Sequence, residues 1–172
     1  MKIVDVIASP GLTGFYFDDQ LAIKSGVSHD GFTYLGEPKT PGFKAVRQRG
    51  ESISVMLILE DGQVASGDCT AVQYSGAGGR DPLFLAKDFI PIILEEIAPR
   101  LIGQELDSFR TLVGLIENSK RQNGERYHTA IRYGVSQAIL DGVAKAQRKT
   151  MTEVILEEYK LPMILETVPI FT

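Results

Sequence analysis

Side chains able to do chemistry are few in this chain, and those best placed to meet a ligand cluster in one stretch. Gly67-Asp68-Cys69-Thr70-Ala71-Val72-Gln73-Tyr74-Ser75-Gly76-Ala77-Gly78-Gly79-Arg80-Asp81-Pro82 leaves a β-prone run, turns through small residues and enters a helix. Such a loop is open to three readings. Its amides and Arg80 would cradle a phosphate, although Gly76, Gly78 and Gly79 give neither a P-loop nor a Gly-x-Gly-x-x-Gly pattern. Gln73, Tyr74 and Ser75 would touch a small substrate from a loop carried on a rigid strand. Or the glycines serve the connection alone.

The remaining reactive groups do not assemble into a catalytic set. His29 and His128 are the only histidines, and with the single Cys69 they make no spaced metal set. His128 lies at the start of a strongly periodic helix and reads as a packing residue. His29 next to Asp30 makes a His-Asp pair thinkable, but Asp30-Gly31 has the character of a turn. Cys69 has no basic neighbour in sequence and reads as a buried thiol. Glu95, Glu96, Glu157 and Glu158 read as solvated helix faces.

The elements that must position these residues run from strands to helices, an α+β order. Lys2 to Ala8 reads as a strand closed by Ser9-Pro10-Gly11. Ser52 to Glu60 and Gln63 to Thr70 flank Asp61-Gly62, suited to the positive φ positions of a two-residue hairpin. Asp81 and Pro82 have the chemistry of a cap and first turn for a helix from Leu83 to Ile97, broken near Pro91. Asp107 and Ser108 are the candidate cap for the next helix, ending at Asn123-Gly124. From about Arg126 to Ala146, Tyr127, Ile131, Val135, Ile139 and Val143 repeat every four residues beside a bare ridge of Ala130, Gly134, Ala138 and Gly142. Two interior glycines each weaken a helix by roughly 1 kcal/mol, so something must pack very close to that ridge. Thr150-Met151-Thr152-Glu153 has capping-box spacing for a helix to about Tyr159, and Thr167 to Phe171 reads as a strand.

Composition limits the partners. With 172 residues, 44% of them hydrophobic, the chain is long enough for one sizeable core. A net charge of -4 gives no electrostatic reason to expect nucleic acid or an anionic membrane. The apolar runs are too short to span a bilayer. One cysteine fits a reducing cytoplasm.

The order Ile97-Ala98-Pro99-Arg100-Leu101-Ile102-Gly103, Ala138-Ile139-Leu140-Asp141-Gly142-Val143-Ala144-Lys145, a short helix and Val168-Pro169-Ile170-Phe171 resembles the capping domain of the enolase superfamily. More specifically, Pro10 to Asp19, His29 to Tyr34, Gly50 to Val55, Ala71 to Pro91 and Tyr127 to Gly134 resemble the methylaspartate ammonia-lyase family along essentially the whole chain. The resemblance implies an antiparallel sheet with a hairpin followed by a helical bundle over residues 1–160, then a linker and the first strand of a TIM-type barrel over 161–172, the rest of which lies outside this sequence. It implies a homodimeric, cytoplasmic, Mg2+-dependent lyase of glutamate fermentation, with K+ as an activator. The reaction removes ammonia from threo-3-methylaspartate to give mesaconate, with a lysine base and a metal-stabilised enediolate. The barrel carries that base and the metal carboxylates, so no catalytic or metal residue is assigned in this chain. Gln73 alone is assigned, as a substrate contact at the alkyl end. The competing expectation is a free-standing small-molecule binding or interaction module without catalysis.

Overall fold

The computed structural model describes residues 1–74, 80–167 and 169–170. Its strands are β1 (Ile3–Asp18), β2 (Ser28–Asp30), β3 (Thr33–Leu35), β4 (Arg47–Leu59) and β5 (Val64–Thr70). Its helices are α1 (Gln20–Lys24), α2 (Ala86–Ile92), α3 (Ala98–Leu101), α4 (Phe109–Glu117), α5 (Thr129–Gln147) and α6 (Met151–Glu158), with a π-helical segment, Ile93–Ile97, joining α2 to α3. Strands β1, β4 and β5 form an antiparallel sheet in that order, and β2 pairs with β3 as a separate hairpin. The α+β expectation holds, and so does the order of sheet before helices.

The sheet buries Ile53, Val55, Leu57, Leu59, Ala65 and Cys69 on one face, and α5 covers them with Ile131, Val135, Ile139 and Val143. The close approach expected from the bare ridge is present. A methyl group added at Gly134 would lie 2.5 Å from both the Cys69 nitrogen and its Sγ, so α5 rests directly on the backbone of β5. The capping box at Thr150 is complete, and the Ser108 hydroxyl accepts from the Thr111 N–H at 3.3 Å.

Several local expectations are corrected by tertiary pairing. β1 runs straight through Ser9-Pro10-Gly11, where Pro10 faces Ile53, because β1 is an edge strand and an edge tolerates a residue without an N–H. The β4–β5 turn is a three-residue loop. Gly62 N–H donates to the Leu59 carbonyl and Gly62 alone takes a positive φ of 86°, so Asp61 escapes the left-handed region. Pro91 lies inside α2 without ending it, and the irregularity falls just after it, in the π-helical turn. The helix begun at Ser108 stops at Glu117 rather than at Asn123-Gly124.

Two of the four carboxylates read as solvated are structural. Glu158 accepts from the Phe109 N–H at 2.7 Å, the Arg110 N–H at 2.8 Å and the Ser108 hydroxyl at 3.1 Å, capping α4 from another helix. Glu96 accepts from the Gln122 N–H at 3.2 Å and approaches Arg121. Glu95 and Glu157 are exposed as expected. Thr167, Pro169 and Ile170 belong to no strand, and Val168 and Phe171 of that expected strand lie outside the described residues. A strand exists through its partner's hydrogen bonds, and no ladder among the described residues includes those three.

Candidate functional site

The loop after β5 leaves the sheet beside the end of β1, and the two are tied together at Gln73. The Asp18 N–H donates to the Gln73 carbonyl at 2.9 Å, and Gln73 Nε2 donates to Asp18 Oδ2 at 2.6 Å. Asp18 faces Arg47 across the β1–β4 ladder, and the guanidinium grips it with a fork: Nε to Oδ1 at 2.7 Å and Nη2 to Oδ2 at 2.8 Å. The Asp18 side chain is 1% exposed and that of Arg47 18%. The hydrogen bond to Asp18 raises the pKa of Arg47 against the opposing effect of burial.

Aromatic rings hold the guanidinium in place. Its Cζ lies 3.8 Å from the Tyr16 ring centroid and 4.8 Å from that of Tyr34, and Nη1 donates to the Phe32 carbonyl at 3.0 Å. The β2–β3 hairpin and the Gln73 loop are thereby joined through the partly buried Arg47 and the buried Asp18. Next to them, Asp19 caps α1 and collects the Thr40 N–H at 2.8 Å and the Thr40 hydroxyl at 2.6 Å. Burial works upward on this carboxyl, but the hydrogen bonds from Thr40, Lys39 and Ala22 outweigh it and hold the pKa below the ordinary carboxylate range.

Asp81 caps a different helix from the one its position in sequence points to. Its Oδ2 accepts from the Thr129 N–H at 2.8 Å, at the start of α5, whereas the Ala86 N–H at the start of α2 donates to Glu51 at 2.7 Å. His128 completes the α5 cap. Nδ1 accepts from the Ala130 N–H at 3.0 Å and Nε2 lies 3.1 Å from the Pro82 carbonyl oxygen. An amide N–H can only donate and a carbonyl only accepts, so the neutral tautomer protonated at Nε2 satisfies both. Phe84 and Phe89 pack on the ring at centroid distances of 4.9 and 5.0 Å. The structural role read for His128 is therefore the observed one.

Burial lowers the His128 pKa from its ordinary value, against smaller upward pulls from Pro82 and Asp81. The unfolded chain therefore takes up a proton near pH 6.5 that the folded chain refuses. Stability present above that pH is expected to be lost as pH falls through 6.5 toward the lower folded value. His128→Asn keeps a capping acceptor and removes the ionisation. Urea midpoints between pH 5 and 7.5 should flatten in that variant relative to the parent, and an unchanged slope would exclude His128 as the source.

The other candidates separate. His29 is exposed on β2 with its ring 6.2 Å from that of Tyr34, and Asp30 pairs with Thr33 at the hairpin end. Cys69 is fully buried, and desolvation first, then the nearby Asp68, pushes its thiol up to about 12. Arg80 sits 5.8 Å from the Tyr74 ring centroid, while Ser75 to Gly79 lie outside the described residues. A cavity of about 590 Å³ opens between the end of β5 and the start of α5. Thr70, Val72, Asp81, Thr129 and Tyr133 line it, and Gln73 does not. Among the described residues no three His, Cys, Asp or Glu side chains are grouped to hold a metal ion. No described helix is long and apolar enough to cross a membrane. Nothing in the sequence marks Asp18 and Arg47 as site residues, because 29 positions separate them and only the β1–β4 register brings them together.

Residues 1–160 match the family described as methylaspartate ammonia-lyase N-terminus. The chain belongs to this family. The methylaspartate ammonia-lyases of Clostridium tetanomorphum and Carboxydothermus hydrogenoformans (form 2) are 64% and 63% identical to it over 171 residues, 99% of this chain. The chain spans 41% of the length of those relatives. The crystal structure of β-methylaspartase from C. tetanomorphum, a Mg complex, superposes with a TM-score of 0.93 over 98% of this chain and 41% of that one. The Citrobacter amalonaticus methylaspartate ammonia-lyase structure, which contains (2S,3S)-3-methylaspartic acid, gives 0.92 at 53% identity, over 98% of this chain and 41% of that one. The antiparallel sheet followed by helices described above is thus the N-terminal fold of methylaspartate ammonia-lyases.

Proposed function

We propose that this chain is the N-terminal capping part of a methylaspartate ammonia-lyase, a carbon-nitrogen lyase that eliminates ammonia from threo-3-methylaspartate to give mesaconate. The observation that carries the proposal is 63–64% identity to enzymes of that activity across 99% of the chain. The same identity favours an enzyme part over a free-standing binding module. In this reading residues 1–160 form the cap, residues 161–172 lead into a barrel, and the complete protein is a cytoplasmic homodimer activated by K+. The acid-base groups and the Mg2+ ligands belong to the portion of the relatives that this chain does not cover. No catalytic step is assigned to residues 1–172.

Their contribution is to bind and orient. Gln73 is the proposed contact at the alkyl end of the substrate, on a loop anchored at Asp18. A second contact is favoured by the geometry of the amide. One N–H of Nε2 is committed to Asp18 at 2.6 Å, and Oε1 is the acceptor end turned away from that carboxylate. An acceptor oxygen complements the substrate's ammonium group better than its alkyl group.

In the assembled lyase, residues 1–172 joined to the C-terminal portion that its relatives carry, Gln73→Ala is expected to change selectivity rather than abolish turnover. The ratio of kcat/KM for 3-methylaspartate to that for 3-ethylaspartate should move by roughly ten- to two-hundredfold, the scale of one methylene in a pocket. If the ammonium contact dominates, the larger change appears instead between ammonia and methylamine in the reverse addition. An equal fall for every substrate would make Gln73 a structural residue.

A further inference from the structure

The contacts around Gln73 commit buried polar atoms to the orientation of one side-chain amide. The two oxygens of Asp18 take three donors, two from Arg47 and one from Gln73, and the Asp18 N–H holds the Gln73 carbonyl as well. A carboxylate only accepts, so the amide group turned toward Asp18 has to be the NH2, and Oε1 has to face away. The chemistry of Asp18, more than the shape of the loop, decides which end of the amide is presented. Arg47 would otherwise be free to swing, but Tyr16, Tyr34 and the Phe32 carbonyl fix it.

We propose that Asp18 is the positioning residue for Gln73, with Arg47 as its support, so that a buried carboxylate sets the hydrogen-bonding polarity that the capping loop offers its ligand. The inference rests on the reading of Gln73 as a ligand contact. It also gives the β2–β3 hairpin a mechanical link to that contact, because Tyr34 and the Phe32 carbonyl touch Arg47 directly.

Asp18→Asn isolates the idea with almost no change of shape. The new side chain has one oxygen and one NH2 where three donors, two from Arg47 and one from Gln73, had two acceptors. Its NH2 faces either the Arg47 Nε or the pair formed by Arg47 Nη2 and Gln73, so the Gln73 amide is no longer held to one orientation. A ligand donor that always met Oε1 then meets an NH2 whenever the amide is turned over.

The experiment compares Asp18→Asn, Gln73→Ala and the double variant in the assembled lyase. It follows kcat/KM for 3-methylaspartate and 3-ethylaspartate, with circular dichroism and Tm as the check on folding. Asp18→Asn should lower kcat/KM for 3-methylaspartate by about tenfold or more, the scale of a misplaced hydrogen bond to a charged group. Because an alanine at position 73 leaves nothing to orient, the double variant should match Gln73→Ala within about twofold. Effects that multiply in the double variant would overturn the proposal, since a general structural loss adds independently. So would an Asp18→Asn protein that folds and keeps the parent's kcat/KM while Gln73→Ala does not. If Gln73→Ala itself changes neither rate nor ratio, the reading of Gln73 as a contact has failed, and this inference with it. Should Asp18→Asn not fold, Arg47→Lys retains the charge and removes the fork, and its effect must likewise vanish in the Gln73→Ala background.

Discussion

A polypeptide of residues 1–172 alone is expected to release no ammonia from 3-methylaspartate above a blank, even with Mg2+ supplied. The proton beside a carboxylate is very weakly acidic, and its removal needs a positioned base together with a partner for the charge that develops. Neither histidine is available as that base: His128 is bound at both ring nitrogens and His29 stands on an exposed hairpin. The Cys69 thiol, pushed up to about 12, stays protonated. No group of three His, Cys, Asp or Glu side chains that could hold a metal exists among the described residues, and the eight others, Ser75, Gly76, Ala77, Gly78, Gly79, Val168, Phe171 and Thr172, have no carboxylate, imidazole or thiol in their side chains. The check is ammonia and unsaturated diacid production by the purified polypeptide, set against the same residues joined to the C-terminal portion of a relative. Turnover by the polypeptide alone, abolished by a chelator, would show that this chain holds chemistry of its own.

Gly134→Ala should be strongly destabilising for so small a change. In an ordinary helix the substitution would gain roughly 1 kcal/mol. Here the added methyl meets the Cys69 nitrogen and Sγ at 2.5 Å and the Asp68 carbonyl carbon at 2.7 Å. Most of these atoms are backbone, so they cannot step aside as a flexible side chain would. Gly67 is the reciprocal half of the contact, since a methyl there would overlap the Gly134 carbonyl oxygen and lie 2.6 Å from the Ala138 nitrogen. Overpacking of this kind costs about 1–3 kcal/mol or more, which corresponds to a fall in Tm of roughly 2–12 °C for a domain of this size. Gly142→Ala is the control: its nearest neighbour is the Leu106 side chain at 3.1 Å, which can shift, so a much smaller change is expected. Thermal unfolding of both variants decides the matter, and a Gly134→Ala protein as stable as the parent would mean that the glycines do not set the helix-to-sheet distance.

The residues read most accurately are those whose partners lie within a turn or two. Thr150 finds Glu153 and Ser108 finds Thr111 three positions along, and those contacts are the same in any fold that keeps the helix. The site was partly legible in that sense. Gln73 was placed on a loop leaving a strand, and it is there, but the partner that orients it was not visible. Asp18 stands 55 positions away, and nothing in the types or spacing of Asp18, Arg47 and Gln73 distinguishes them from other polar residues. Asp81 is the instructive error. Its type correctly announced a cap, and the helix it caps begins at Thr129 rather than a few residues downstream, because α5 passes beside it.

By itself, then, the sequence determined the class and the main strands and helices in order, though not α1, the β2–β3 hairpin or the chain end: an α+β chain with a hairpin at Asp61-Gly62, a bare ridge that demanded a close neighbour, and a buried unreactive thiol. These follow from periodicity, backbone preference and hydrophobicity, which act over a few residues. Tertiary structure alone decided that Pro10 sits in an edge strand, that Glu158 caps α4, and that Asp18 and Arg47 grip Gln73. Each of these is a choice made by a donor or acceptor among many equivalent partners. Packing makes that choice, by bringing one of them within about 3 Å and excluding the water that would otherwise compete.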